Sequence, residues 1–208
     1  YLAFIGMIGF LSGCEKDEVK VVLSDNPVAP TLTTVPSSLT LIRANGNDTL
    51  EFEGTPVDPG FQASATYFLE ACVHGNNFAD VMQLYSGIKV DLIRISISDL
   101  NGMFLKGIPA DQVTNVDFRL RAELVVDAGT GAPGTSSKPF SYPSAIVSKD
   151  VTPYGLPRLD LIGSGVTQKI ESALGDGKYI GFVKLDATMP FTLKNPDTNV
   201  NYGDNSGA

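Results

Sequence analysis

A single histidine, His74, serves the whole chain, so any histidine-based triad or multi-histidine metal centre would have to run through it. It stands next to Gly75, in a turn setting, and reads as a polar turn residue. Glu51 and Glu53 lie two apart in an alternating run and so share one side of a strand, a spacing that would suit the acid and base of glycoside hydrolysis. The same spacing is what a solvated strand face shows, and catalysis is not expected of it. Asp197-Thr198-Asn199-Val200-Asn201 begins like a calcium loop, but glycine falls at the seventh position instead of the sixth and no closing glutamate follows. Asn47-Asp48-Thr49 has the form of a glycosylation acceptor and is expected to be an incidental loop. No cofactor is implied by any of these groups.

Cysteine supplies a sharper signal. Leu11-Ser12-Gly13-Cys14 follows an uncharged apolar run from Tyr1 to Phe10 and precedes the charged Glu15-Lys16-Asp17-Glu18, so polarity switches at Cys14. The run has the length of a signal-peptide apolar region and falls well short of the roughly 20 residues of a spanning helix. Two small residues before a cysteine, with leucine one step earlier, resemble the lipobox of bacterial lipoproteins. That resemblance implies cleavage before Cys14 and acylation of its sulfur and new amino terminus. Two or three acyl chains hold a protein durably, at about 0.8 kcal/mol per buried CH₂. The acidic cluster Glu15, Asp17, Glu18 resembles the surface-export signal of Bacteroidetes lipoproteins. With Cys14 acylated, Cys72 has no disulfide partner, and within Ala71-Cys72-Val73 it reads as a buried, inert thiol.

The elements that would position these groups are strands. The apolar fraction of 43% is enough for a real core, and the net charge of −8, with no Lys/Arg cluster, argues against nucleic acid as a partner. Twenty-one glycines and thirteen prolines among many Val, Ile, Thr and Tyr suit short strands and turns. Residues 19–36, with Pro27, Pro30 and Pro36, read as an extended tether. Leu39–Arg43 and Thr49–Glu53 flank Asn45-Gly46 and predict a hairpin. Strands are predicted at Thr66–Val73, Lys89–Ser98, Val116–Leu124 and Tyr142–Thr152. A short helix is predicted at Asp99–Leu105, capped by Ser98 or Asp99. In Val116–Leu124, Val116, Phe118, Leu120, Ala122 and Leu124 alternate with Asp117, Arg119, Arg121 and Glu123, one face dry and one wet. About seven strands over roughly 110 residues indicate an antiparallel sandwich of immunoglobulin or fibronectin-III architecture. A boundary at Tyr154-Gly155-Leu156-Pro157 precedes further strands at Arg158–Gly163, Lys178–Leu185 and Pro190–Leu193.

In this order the features resemble the SusE family. The resemblance rests on the lipobox, Ala29-Pro30-Thr31-Leu32, Tyr67-Phe68-Leu69-Glu70 leading to Gly75-Asn76-Asn77-Phe78-Ala79, Asp99-Leu100-Asn101 and Val151-Thr152-Pro153-Tyr154. It continues through Leu159-Asp160-Leu161-Ile162-Gly163, Asp176-Gly177-Lys178-Tyr179-Ile180-Gly181-Phe182 and Asn201-Tyr202-Gly203. It implies an all-β chain: a signal peptide over 1–13, an acylated tether over 14–36, an Ig-like domain over 37–153, and the start of a carbohydrate-binding β-sandwich over 154–208. The sequence is expected to begin inside the signal peptide and to stop inside that second sandwich. It implies a surface-exposed outer-membrane lipoprotein, not an enzyme, that binds starch or another polysaccharide beside a TonB-dependent transporter and its lipoprotein partner. Segment Gly163-Ser164-Gly165-Val166-Thr167 lacks the aromatic usual in that family, and the chain has no tryptophan. In the glycan-binding half, Tyr202 with Asn199, Asn201 and Asp204 forms the aromatic set among amides and a carboxylate, the grouping that stacks on a pyranose and bonds its hydroxyls. An ordinary turn is the other reading of those four residues. A structural or protein-docking lipoprotein is the other reading of the chain.

Acylation at Cys14 is directly testable. A palmitate analogue fed to cells is expected to label the wild-type precursor and send it to the membrane fraction, and Cys14→Ser is expected to lose both the label and the membrane fractionation.

Overall fold

The computed structural model describes residues 24–61, 63–125, 133–163, 168–186 and 188–203, and the lipidation signal at Cys14 lies outside them. Alternation is cleanest in β4 (Ala65–Val73) and β7 (Thr114–Leu124), and these pair antiparallel from Ala65 opposite Leu124 to Val73 opposite Val116. Their shared inner face carries Tyr67, Leu69, Ala71, Val116, Phe118, Leu120, Ala122 and Leu124, all buried. Around this pair a six-stranded sheet forms. β5 (Met82–Gly87) flanks β4, β9 (Val147–Thr152) and the short β8 (Phe140–Pro143) flank β7, and β2 (Leu39–Thr40) runs parallel to β9 at the far edge. Facing it is a three-stranded antiparallel sheet, β1 (Thr31–Thr34), β3 (Thr49–Thr55) and β6 (Ile93–Ser96), in the order β1-β3-β6. The all-β sandwich expected from the sequence is present.

Three aromatic rings tie the layers together. Phe52 of β3 meets Phe118 of β7 with ring centroids 6.2 Å apart, and Phe104 meets Phe118 edge-on at 6.1 Å. Phe104 ends α1 (Ile97–Phe104), where Leu100 and Phe104, four apart, turn into the core. The helix starts two residues earlier than the sequence predicts because Ser96 caps it: its backbone is extended and its Oγ accepts the Asp99 N–H at 3.1 Å.

Other expectations fail for identifiable reasons. The hairpin across Asn45-Gly46 does not form. Arg43–Asn45 is a 3₁₀ turn, and Gly46, at φ −55°, lacks the positive φ a tight hairpin needs. The chain instead crosses between sheets, β2 joining β9 and β3 joining β1 and β6. Residues 31–34, within the expected tether, form β1, with Leu32 buried, and Val28 bridges Asp58. Lys178–Leu185 is not a strand: its polar links to β11 (Gln168–Glu171) are a bridge at Ile180 and a two-way bond between the Gln168 amide and the Lys184 backbone. β5, β11 and β13 (Val200–Tyr202) were not expected.

The outer face of β4 and β7 is less wet than its alternation suggests. Glu70, only 3% exposed, accepts from Arg119 Nε and from Arg121 Nε, each at 2.7 Å, and Arg121 also pairs with Glu123. The two guanidiniums lie over aromatic rings, Arg119 at 3.9 Å from the Phe78 centroid and Arg121 at 4.5 Å from that of Phe68. Asn77 and Phe78 both hold positive φ, 53° and 59°, a strained pair of non-glycine residues that delivers the ring to Arg119. Beside them Asp117 accepts from Ser148 Oγ at 2.5 Å, contacts His74 Nδ1 at 2.8 Å, and accepts from Gly75 N–H at 3.4 Å. Burial alone would raise the Asp117 carboxyl; the Ser148 bond, then those of His74 and Gly75, outweigh it and hold it below the usual carboxylate range.

A second antiparallel sheet, β11-β10-β12-β13, follows, with β10 at Arg158–Ile162 and β12 at Thr192–Asn195.

Two outcomes are expected. Phe118→Ala, which removes the ring shared by both layers and α1, costs about 3–5 kcal/mol, read by urea unfolding followed with circular dichroism because the chain has no tryptophan. Asp117→Asn costs about 1–3 kcal/mol at neutral pH. A lowered native pKa stabilises fully above the unfolded carboxylate value and is lost as pH falls through the native one, so the gap between variant and wild type is expected to close in acid.

Candidate functional site

Pairing in the second sheet decides which side chains meet. Leu161 lies opposite Gln168 on β11 and Leu193 on β12, and Leu193 lies opposite Tyr202 on β13. One face therefore carries a row of Gln168, Leu161, Leu193 and Tyr202, with Leu159 and Ile170 alongside. The opposite face carries Lys169, Asp160, Lys194 and Asn201 in the equivalent row. Tyr202 and Asn201, grouped from the sequence, thus project to opposite sides. Asn199 occupies the β12–β13 turn at φ 58°, a left-handed conformation that asparagine tolerates. Asp204 lies outside the described residues.

The structure assembles a different neighbourhood around Tyr202. Met189, Pro190, Phe191, Thr192 and Leu193 join Tyr202 and Gly203 in lining an open groove of about 730 Å³. Phe191 and Tyr202 are both half-exposed, at 44% and 49%. Gly163 shapes this end of the sheet. Its φ is 94°, and a Cβ there would fall 2.7 Å from the Pro190 carbonyl oxygen, so only glycine lets β10 end this close to the groove wall. Aromatic faces, a threonine hydroxyl and a phenol suit non-covalent capture of a ligand that is apolar on one side and hydroxylated at its edges. Phe191 and Met189 were not singled out in the sequence, although an aromatic directly after proline at the start of a predicted strand is a signal that could have found them.

The remaining chemistry-bearing residues are held in structural bonds. His74 Nδ1 and Ser148 Oγ both bind the same Asp117 oxygen, so the hydroxyl addresses the carboxylate and no serine–histidine–aspartate relay is formed by these three. Glu51 pairs with Arg94 at 2.8 Å, and Glu53 accepts from Thr34 at 2.7 Å. Asp197, the first position of the calcium-like stretch, has its Oδ2 3.2 Å from Arg43 Nε, and its backbone N–H is taken by Asn195 Oδ1. Cys72 is free and fully buried, and burial pushes its thiol pKa up, away from nucleophilic use.

The residues that carried the family resemblance occupy these networks: Phe68, Glu70 and Phe78 in the guanidinium stacks, Asn101 at the exit from the sandwich. In comparisons with curated proteins and with solved structures, nothing matches the chain. A family model described as SusE outer membrane protein does match, over residues 16–121, just over half of the 208 residues, ending within β7. Sandwich, motif residues and match agree, and the chain belongs to the SusE outer membrane protein family.

Proposed function

We propose that the protein is a surface-exposed outer-membrane lipoprotein that captures starch or a related polysaccharide as a non-catalytic accessory of a Sus-like glycan uptake system. The observation that carries this reading is the open groove where the half-exposed rings of Phe191 and Tyr202 stand together at the end of the second sheet. A pyranose offers an apolar face to such rings and hydroxyls to flanking polar groups. Thr192 and Tyr202 Oη are the polar groups at hand, whereas Asn201 projects from the opposite face of the sheet and is not among them. The groove lies beyond the residues of the family match, so the family membership supports the setting and the geometry supports the ligand.

Membrane association would come through acylated Cys14: among the described residues no helix is long and apolar enough to cross a membrane, which says nothing of β-barrels. Two or more chains on one cysteine give a durable tether. A tethered binder of modest affinity gains retention when several binders engage one polysaccharide, and a TonB-dependent transporter with its lipoprotein partner is the natural neighbour for such capture.

A docking role at that transporter complex is favoured by a separate observation. Leu174, Ile180 and Phe182 project from the segments next to β11, Phe182 entirely into solvent. Large apolar side chains left this exposed on segments next to one strand are the composition of a protein contact.

Affinity electrophoresis of the full chain through starch, levan and other glycans separates the two. Retardation on at least one glycan is expected. Phe191→Ala and Tyr202→Ala are each expected to weaken it by about 0.5–1.5 kcal/mol, roughly 2- to 10-fold. Absence of retardation on every glycan would leave the docking role.

A further inference from the structure

Directly after β9, residues 153–155 present five backbone polar groups: the carbonyl of Pro153 and both groups of Tyr154 and Gly155. The first sandwich takes each of them. Asp111 N–H donates to Pro153 O at 2.7 Å. Tyr154 N–H donates to Asn101 Oδ1 at 2.8 Å, and Asn101 Nδ2 returns a bond to Tyr154 O at 3.1 Å. Gly155 N–H reaches Asp111 Oδ1 at 3.4 Å, and Gly155 O accepts from the Arg43 guanidinium. That guanidinium also lies over the Tyr154 ring, 4.5 Å from its centroid.

From the other side, Ser172 N–H donates to Pro157 O at 2.8 Å, which fixes the chain to the second sheet. Two ion pairs then span the junction, Arg158 Nη1 to Asp111 Oδ2 at 2.5 Å and Arg43 Nε to Asp197 Oδ2 at 3.2 Å. Only Leu156 stands between the two sets of bonds, and Pro157 after it has a fixed φ. The stretch whose Gly and Pro read as a boundary is therefore pinned on both sides.

The contributions are unequal. Both ion pairs are partly exposed, and the buried Arg43 Nε–H lies off the hydrogen-bond direction to Asp197, so that contact is Coulombic and screened by solvent. Asn101 differs: it is 4% exposed, sits on α1 between turns anchored by Leu100 and Phe104, and satisfies a donor and an acceptor at once. Only one orientation of its amide does both. Removing it strands two backbone groups of the strap.

We propose that Asn101 is a positioning residue that locks the second sheet onto the first sandwich, so that the groove is carried at one set angle instead of on a swivelling linker. The value of that angle for glycan capture rests on the function proposed above; the lock itself does not. Residual dipolar couplings of backbone amides read it without any ligand. In the wild-type chain, couplings from residues 31–124 and from residues 158–202 are expected to fit one alignment tensor. Asn101→Ala is expected to require two, while core amide shifts of Phe52 and Phe118 stay in place. Asn101→Asp keeps the size and the acceptor but sets a carboxylate against the Tyr154 carbonyl, and is expected to split the tensors as well. Two tensors in the wild type would overturn the proposal without recourse to any variant, and one tensor in folded Asn101→Ala would overturn the role of Asn101. Either result leaves the electrophoresis on glycans to stand or fall separately.

Discussion

The meeting of Phe52, Phe104 and Phe118 is the constraint on which the remainder depends. Phe118 faces inward from the central strand of the larger sheet, and the only ways to bury its ring fully are to bring the three-stranded sheet over it and to lay α1 against its edge. Aromatic side chains bury about 150–250 Å² each, and these three are the largest fully buried side chains among the described residues, so their contacts constrain how the layers meet. The helix orientation follows. With Leu100 and Phe104 committed to the core, Asn101 must face the exit of β9, where it meets the Tyr154 backbone. Core packing is thus transmitted through one amide to the placement of the second sheet.

Strand content was legible wherever the apolar period was long. β4 and β7 lie close to where alternation puts them, because nine and eleven residues of period two leave little choice of face. What escaped was set by partners distant in sequence. β2 has two residues and exists only because Thr152 and Val151 run beside it, so nothing local distinguishes it from the first arm of a hairpin. Lys178–Leu185 alternates as well as many real strands, yet it gains one bridge to β11. Alternation states which face would be buried, not whether a neighbouring strand arrives to pair.

The same limit applies to the polar face and to the groove. Nothing local marks Glu70, a carboxylate between Leu69 and Ala71, as buried. Its burial depends on Arg119 and Arg121, some fifty residues away, and on a turn that holds two non-glycine residues at positive φ. Tyr202 was legible as a ring among amides and a carboxylate. Its companions Phe191 and Met189 were not, because their nearness to it comes from β12 pairing with β13, and Asn201, the amide next to Tyr202 in sequence, is turned away by the pleat.

Two apolar surfaces compete for the role of ligand contact on the second sheet, and the way each ring is held separates them. A stacking platform must present a ring in one orientation before the sugar arrives, otherwise binding has to order it as well. Phe191 and Tyr202 are half-covered, and the Tyr202 backbone is held opposite Leu193, so less of each side chain is left to be ordered on binding. Phe182 has no such support; its ring stands wholly in solvent on a segment tied to the sheet at a few points. A free phenylalanine gains most when a partner closes over both its faces, as a protein surface does and a single polysaccharide chain does not. Under the proposed function, the groove is the surface assigned to glycan and the Phe182 edge the surface assigned to a protein neighbour. A sheet held at a set angle to the sandwich by the Asn101 contacts would keep the two surfaces in fixed relation to each other.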